Sequence, residues 1–112
     1  MVEQQSNDPD LDAIFGALAH PTRRALIEQL AGGSSNVSSL AEPHDMSLAA
    51  VSKHLQVLSE AGLVKVEKDG RVRQCHLEAA PLSDAFGWLT RYRIFWEDRF
   101  DALEDHLEQD DE

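Results

Sequence analysis

The sequence predicts a mainly α-helical domain with one small β-hairpin and a long C-terminal helix. Three observations carry this reading. Apolar residues recur at three- and four-residue spacing through most of the chain, as they do on one face of a helix. The dipeptide Asp69-Gly70 separates two short runs rich in β-branched and alternating residues, the signature of a hairpin. From about Pro81 to Leu107 aromatic and aliphatic residues recur at four- and three-residue spacing, as on one long helix. With 112 residues and 42% hydrophobic content there is room for one core and no separate substrate domain. We divide the chain into a flexible acidic N-terminus (1–8), one folded domain (9–107) and an acidic tail (108–112).

The elements follow in order. Asp8-Pro9 supplies an N-cap and a first-turn proline for a helix whose apolar positions are Leu11, Ile14, Phe15 and Leu18, and which ends at His20-Pro21. Pro21 opens a second helix that buries Ala25, Leu26 and Leu30, exposes Arg23, Arg24 and Glu28, and stops at Gly32-Gly33. After a Gly-Gly-Ser-Ser linker, Asn36 caps a short third helix to about Glu42, and Pro43-His44-Asp45 makes a turn. Ser47 then caps a fourth helix with Leu48, Val51, Leu55 and Leu58 on its apolar face and Gly62 just past its end. In the hairpin, Val64, Val66, Cys75 and Leu77 share a face around a type I′ turn at Asp69-Gly70, which makes Cys75 a small core residue. The last helix, roughly 40 Å long at 1.5 Å per residue, carries two seams. One runs Leu82, Phe86, Leu89, Arg93, Trp96, Phe100, Leu103, Leu107; the other runs Ala85, Trp88, Tyr92, Phe95, Arg99, Ala102, His106. Together they are too wide for one small domain to cover, so a second copy of the chain is the expected cover.

This order of helix, helix, short helix, tight turn, capped helix, hairpin and long helix is a winged helix-turn-helix plan, with the last helix for dimerisation. The fourth helix presents a small polar side, Ala49, Lys53, Gln56 and Glu60, opposite its apolar one. Ala49 and Ala50 allow close approach or contact with a thymine methyl, Gln56 matches adenine, and Lys53 reaches guanine or phosphate. Ser47 and Ser52 suit phosphate contacts, and His54 lies at the border of the face, placed either to orient the helix or to touch a phosphate. Lys68, Arg71 and Arg73 make the hairpin tip a basic patch.

The formal net charge of -11 runs against a DNA-binding reading until its distribution is considered. Positions 11–93 hold nine basic and nine acidic residues, so the deficit belongs to the ends, and Glu104–Glu112 carries six acids and no Lys or Arg. No signal peptide or membrane-length apolar run is present, and the lone cysteine allows no internal disulfide; a reduced cytoplasmic setting follows as the expectation. No glycine-rich phosphate loop, nucleophile-base pair or metal-ligand spacing points to an enzyme or a cofactor.

The stretches His20-Pro21-Thr22-Arg23-Arg24, Ala41 to Leu48, Ala50 to Leu55 and Ala61-Gly62-Leu63-Val64 occur together and in this order. They resemble the ArsR-type (ArsR/SmtB) repressor family over roughly positions 11–107. The resemblance implies a homodimer joined by its first and last helices, with the helix from Ser47 in the major groove of double-stranded DNA. On this basis Leu11, Ile14, Phe15, Trp88, Tyr92, Phe95, Trp96, Phe100 and Leu103 are assigned to the dimer interface. Metal-sensing members of the family carry a cysteine pair on the third helix, where this chain has Ser38, Ser39, Leu40 and Ala41, or an Asp-X-His with a His-X-X-Glu on the last helix, of which only His106 remains. No metal site is therefore expected, and no short motif specifies an effector. The expected function is a homodimeric repressor of an inverted-repeat operator. Two other readings use the same residues: a metal-sensing repressor of this family, and an acidic winged-helix interaction module that does not bind DNA.

Overall fold

The computed structural model describes residues 10–110, without the side chains of 93–96, 100 and 108–110. Among the described residues the elements run α1 (Leu11–Leu18), α2 (Pro21–Ala31), β1 (Ser35–Asn36), α3 (Val37–Ala41), α4 (Leu48–Glu60), β2 (Val64–Asp69), β3 (Val72–Leu77), α5 (Ala80–Thr90) and α6 (Arg93–Asp110). The strands form an antiparallel sheet in the order β1-β3-β2. The fold is a winged helix-turn-helix, with α3 and α4 as the helix pair and β2-β3 as the wing.

Local chemistry sets most boundaries. Asp10, not Asp8, caps α1: its Oδ1 accepts the Ala13 N–H at 3.0 Å, while Asp8 and Pro9 lie outside the described residues. The C-terminal carbonyls of α1 are satisfied by α2, whose Arg23 Nε donates to Ala17 O (2.7 Å) and whose Arg24 Nη1 donates to Leu18 O (2.8 Å). Arg24 and Glu28 are exposed, as expected, but Arg23, expected to be exposed too, is half-buried and ties the two helices together. Asn36 Oδ1 accepts from Ser39 N–H (2.8 Å) at the start of α3.

The core gathers Ile14, Leu26, Leu30, Leu40, Val51, Leu55, Leu58, Leu63, Val64 and Cys75. α4 packs against α1, α2, α3 and β2, so it is braced on every side except the one that faces outward. Its end is a Schellman motif. Leu63 N–H donates to Leu58 O (2.9 Å), Gly62 N–H donates to Ser59 O (3.0 Å), and the Leu58 and Leu63 side chains are both fully buried. Gly62 has φ +80°, and an added Cβ would meet only Pro81 Cγ at 3.5 Å, an ordinary contact. The expected cost of Gly62→Ala is therefore the left-handed backbone alone, about 1–2 kcal/mol, read as a lower denaturant midpoint with an unchanged slope.

Four sequence expectations are corrected. The linker contains a strand: Ser35 and Asn36 pair with Cys75 and Gln74 of β3. In the wing, Asp69 pairs with Val72, so the two-residue loop is Gly70-Arg71, one position later than expected. Only Gly70 has positive φ (66°), as a glycine at the first loop position requires, whereas a type I′ turn needs it at both. Leu48 is not on the buried face of α4 but is 53% exposed, because the first helical residue overhangs the edge of the core. The C-terminal region is two helices, not one. Thr90 Oγ1 donates to Gly87 O (2.7 Å), the carbonyl that an unbroken helix would offer to Arg91 N–H. Arg91 and Tyr92 N–H turn instead to Trp88 O and Leu89 O, three residues back, and the helix closes there.

Candidate nucleic-acid interface

The outward side of α4 carries Ala49, Lys53, Gln56 and Glu60, all exposed, as its periodicity predicts. Ser47 is exposed and caps the helix, its Oγ accepting from Ala50 N–H at 3.1 Å; Ala50 is half-buried behind it. Gln56 Nε2 donates to Glu60 Oε2 (3.3 Å), a surface contact that a base must replace before Gln56 can read an adenine edge.

The wing stands beside this face. Arg73 Nη2 donates to Ser52 Oγ at 2.8 Å, so one wing arginine is folded back onto α4 rather than held outward. A groove of about 520 Å³ runs between helix and wing, with Lys53, Gln56 and Arg73 on its walls and Val37, Leu55, Val66 and Cys75 beneath. Arg73 lies directly across the sheet from Lys68, a like-charge pair that costs stability in isolation. With Arg71 in the loop, this concentrates three cations at the exposed end of a chain whose overall charge is -11. Cys75 lies at the floor as a core residue; burial pushes its thiol up, away from a reactive thiolate.

Sequence reasoning missed two links because each joins residues far apart in the chain. His76, on the outer face of β3, has its Nδ1 2.6 Å from Ser34 Oγ and its Nε2 3.1 Å from Glu67 Oε1, fastening the linker to the wing. The hydrogen bond and charge of Lys65, 3.3 Å away, and the nearby His76 hold Glu67 below the usual carboxylate range. His54 is half-buried with its ring 4.5 Å from that of His20, whose Nδ1 accepts from Thr22 N–H (3.1 Å) at the cap of α2. This favours the orienting role for His54 over direct phosphate contact.

Partial burial, then His20, Arg23 and His44, lower the His54 pKa from its ordinary 6.5. The unfolded chain therefore takes up this proton first. The stability tied to neutral His54 is complete above 6.5 and is lost as pH falls through the lower folded value. Denaturation midpoints at about pH 7.5 and about pH 5.5 should fall with acidity in the wild type and fall less in His54→Asn.

Of the residues assigned to the dimer interface, Leu11, Phe15 and Trp88 line one surface groove, with the Phe15 and Trp88 rings edge-on at 5.7 Å. The Tyr92 ring lies 5.3 Å from that of Trp88, tilted by 60°, and is exposed, as is Leu103. Ile14 is corrected: at 2% exposure it belongs to the chain's own core and supports this surface from beneath. The side chains of Phe95, Trp96 and Phe100 lie outside the described residues. Among the described residues no group of three His, Cys, Asp or Glu side chains is placed to hold a metal ion, and no helix is long and apolar enough to cross a membrane.

Comparison with known proteins agrees with this geometry. A helix-turn-helix domain model matches residues 18–67. The HTH-type transcriptional regulator YuzN of Bacillus subtilis (strain 168) is 35% identical, the match covering 70% of this chain and 94% of that one. The transcriptional repressor SdpR of the same organism is 27% identical over 73% of this chain and 91% of its own. The crystal structure of the ArsR family transcriptional regulator RHA00566 superposes with a TM-score of 0.72 at 42% identity, covering 78% of this chain and 90% of that chain. With its helix pair, its wing and these relatives, the chain belongs to the ArsR family of helix-turn-helix transcriptional regulators, proteins that act by binding DNA.

Proposed function

We propose that the chain acts in the cytoplasm as a homodimeric repressor, two copies pairing through the α1, α5 and α6 surfaces and presenting two α4 helices to an inverted-repeat operator. The observation that carries this is the placement of exposed apolar side chains. Of the eight large ones among the described residues, five (Phe86, Leu89, Tyr92, Leu103 and Leu107) lie on or between α5 and α6, with Phe86 67% exposed. Scattered exposed leucines are ordinary, but this concentration of exposed aromatic and aliphatic side chains on α5, α6 and their turn, together with the Leu11, Phe15 and Trp88 groove, leaves apolar surface in need of cover. Two-fold pairing sets the reading helices about one DNA turn, roughly 34 Å, apart, which dictates the symmetry of the operator. Repression is supported by the likeness to SdpR, itself named a transcriptional repressor.

Light scattering and a gel-shift titration with the DNA upstream of the chain's own gene test this together. A dimer mass with a shift that survives excess random DNA is expected, and Trp88→Ala should lower both the dimer fraction and the apparent affinity. A monomer at micromolar concentration, or equal affinity for random duplex, contradicts it.

A further inference from the structure

Among the described residues, the three exposed large apolar side chains outside α5, α6 and the turn between them are Met46, Leu48 and Val72. Met46 precedes the N-cap of α4, the position from which a hydrophobic staple to the fourth helical residue is made, and is the least exposed of the three. Leu48 has no such local role. The cap is completed by Ser47, the core side of α4 is filled by Val51, Leu55 and Leu58, and Leu48 projects 53% exposed from the first turn of the reading helix. Val72, 47% exposed, opens β3 immediately after the wing loop.

These two side chains face a common space. A cleft of about 270 Å³ is lined by Asn36, Val37, Ser38 and Leu48 on the helix side and by Arg71, Val72 and Arg73 on the wing side. Its lining holds Arg71, Arg73 (whose guanidinium donates to Ser52 Oγ), two apolar lips and small polar groups, with no carboxylate among its residues. That combination matches one strand of a duplex: a phosphate for Arg71, and the apolar sugar edge and thymine methyl for Leu48 and Val72. It does not match bulk water, which gains nothing from a leucine and a valine held across a positively charged slot.

We infer that Leu48 reads a thymine methyl at the outer end of each half-site, while Val72 closes the cleft over the sugar of the same strand. This rests on the DNA-binding reading of α4. It adds a specificity contact that the helical period conceals by assigning Leu48 to the core.

The test begins with the duplex that the wild-type protein selects from a random library. Each thymine in turn is replaced by deoxyuridine, which removes only the 5-methyl group. The wild type is expected to lose about fourfold at one position per half-site, the worth of one buried methyl-sized group. Leu48→Ala should lose nothing further at that position, Leu48→Met should regain the sensitivity, and Val72→Ala should weaken binding to every version alike. Circular dichroism melts of the three variants, all at exposed positions, establish that each is folded. If no thymine methyl matters to the wild type, or the same ones matter equally to Leu48→Ala, the inference is overturned and the DNA-binding reading stands. A wild-type protein that selects no sequence overturns both.

Discussion

Replacing Lys53, Arg71 and Arg73 together by glutamate should reduce operator affinity by at least about 10³-fold and flatten its salt dependence by about 0.9 in log-log slope for each phosphate contact removed. These cations dominate the exposed helix-wing face, whereas the acids that make the chain anionic are concentrated at its ends. Reversal turns a locally attractive surface into a repulsive one without touching the core. Since Arg73 also donates to Ser52 Oγ at 2.8 Å, Lys53→Glu with Arg71→Glu is the companion variant that keeps this bond. It should retain the wild-type melting temperature and still lose most of the affinity. A triple variant that binds operator as before would mean that these cations do not hold the DNA, whereas a wild type that binds no duplex at all would favour the interaction module whose acidic ends keep it off DNA. Retained binding to a protein partner after loss of DNA would show that both surfaces exist separately.

The second large effect concerns stability. Leu58 is fully buried on the inner side of α4 and meets Leu63 in the Schellman turn, so Leu58→Ala leaves a void where α4, its C-terminal turn and the sheet converge. A loss of about 2–5 kcal/mol is expected, a large share of the roughly 5–15 kcal/mol that holds a domain together. Urea unfolding followed by tryptophan fluorescence measures it. A change under about 0.5 kcal/mol, the range of ordinary surface substitutions, would mean that α4 is not anchored by this side chain.

What the sequence disclosed and what it concealed divide along physical lines. Ser47 and Gly62 were legible because caps are local: a hydroxyl three residues before an orphan N–H, and a residue without a Cβ where φ must be positive. The faces of the hairpin were legible because a strand alternates strictly, and Val64 and Val66 do oppose Leu77 and Cys75. The two-residue strand at Ser35 was not, since its pairing with Cys75 and Gln74 depends on a partner about forty positions away. Leu48 fits the helical period of Val51, Leu55 and Leu58, but period says nothing about where the core ends. The break after Thr90 escaped notice because threonine is tolerated in helices; its hydroxyl mattered only through the geometry that brought it to Gly87 O. In the candidate interface, the exposure of the outer side of α4 was legible from spacing, while the Arg73 to Ser52 bond and the His20 to His54 ring contact belong to tertiary structure.

Whether α4 and the wing together form the surface that meets DNA can be followed at each position of the chain. Titrating the isotopically labelled protein with its operator duplex, and following backbone amide resonances, tests this residue by residue. The largest changes should fall on Leu48 to Gln56 and on Lys68 to Arg73, with Leu11 to Phe15 and Leu82 to Leu89 nearly unmoved. Perturbations gathered on α1 and α5, with α4 and the wing silent, would contradict it.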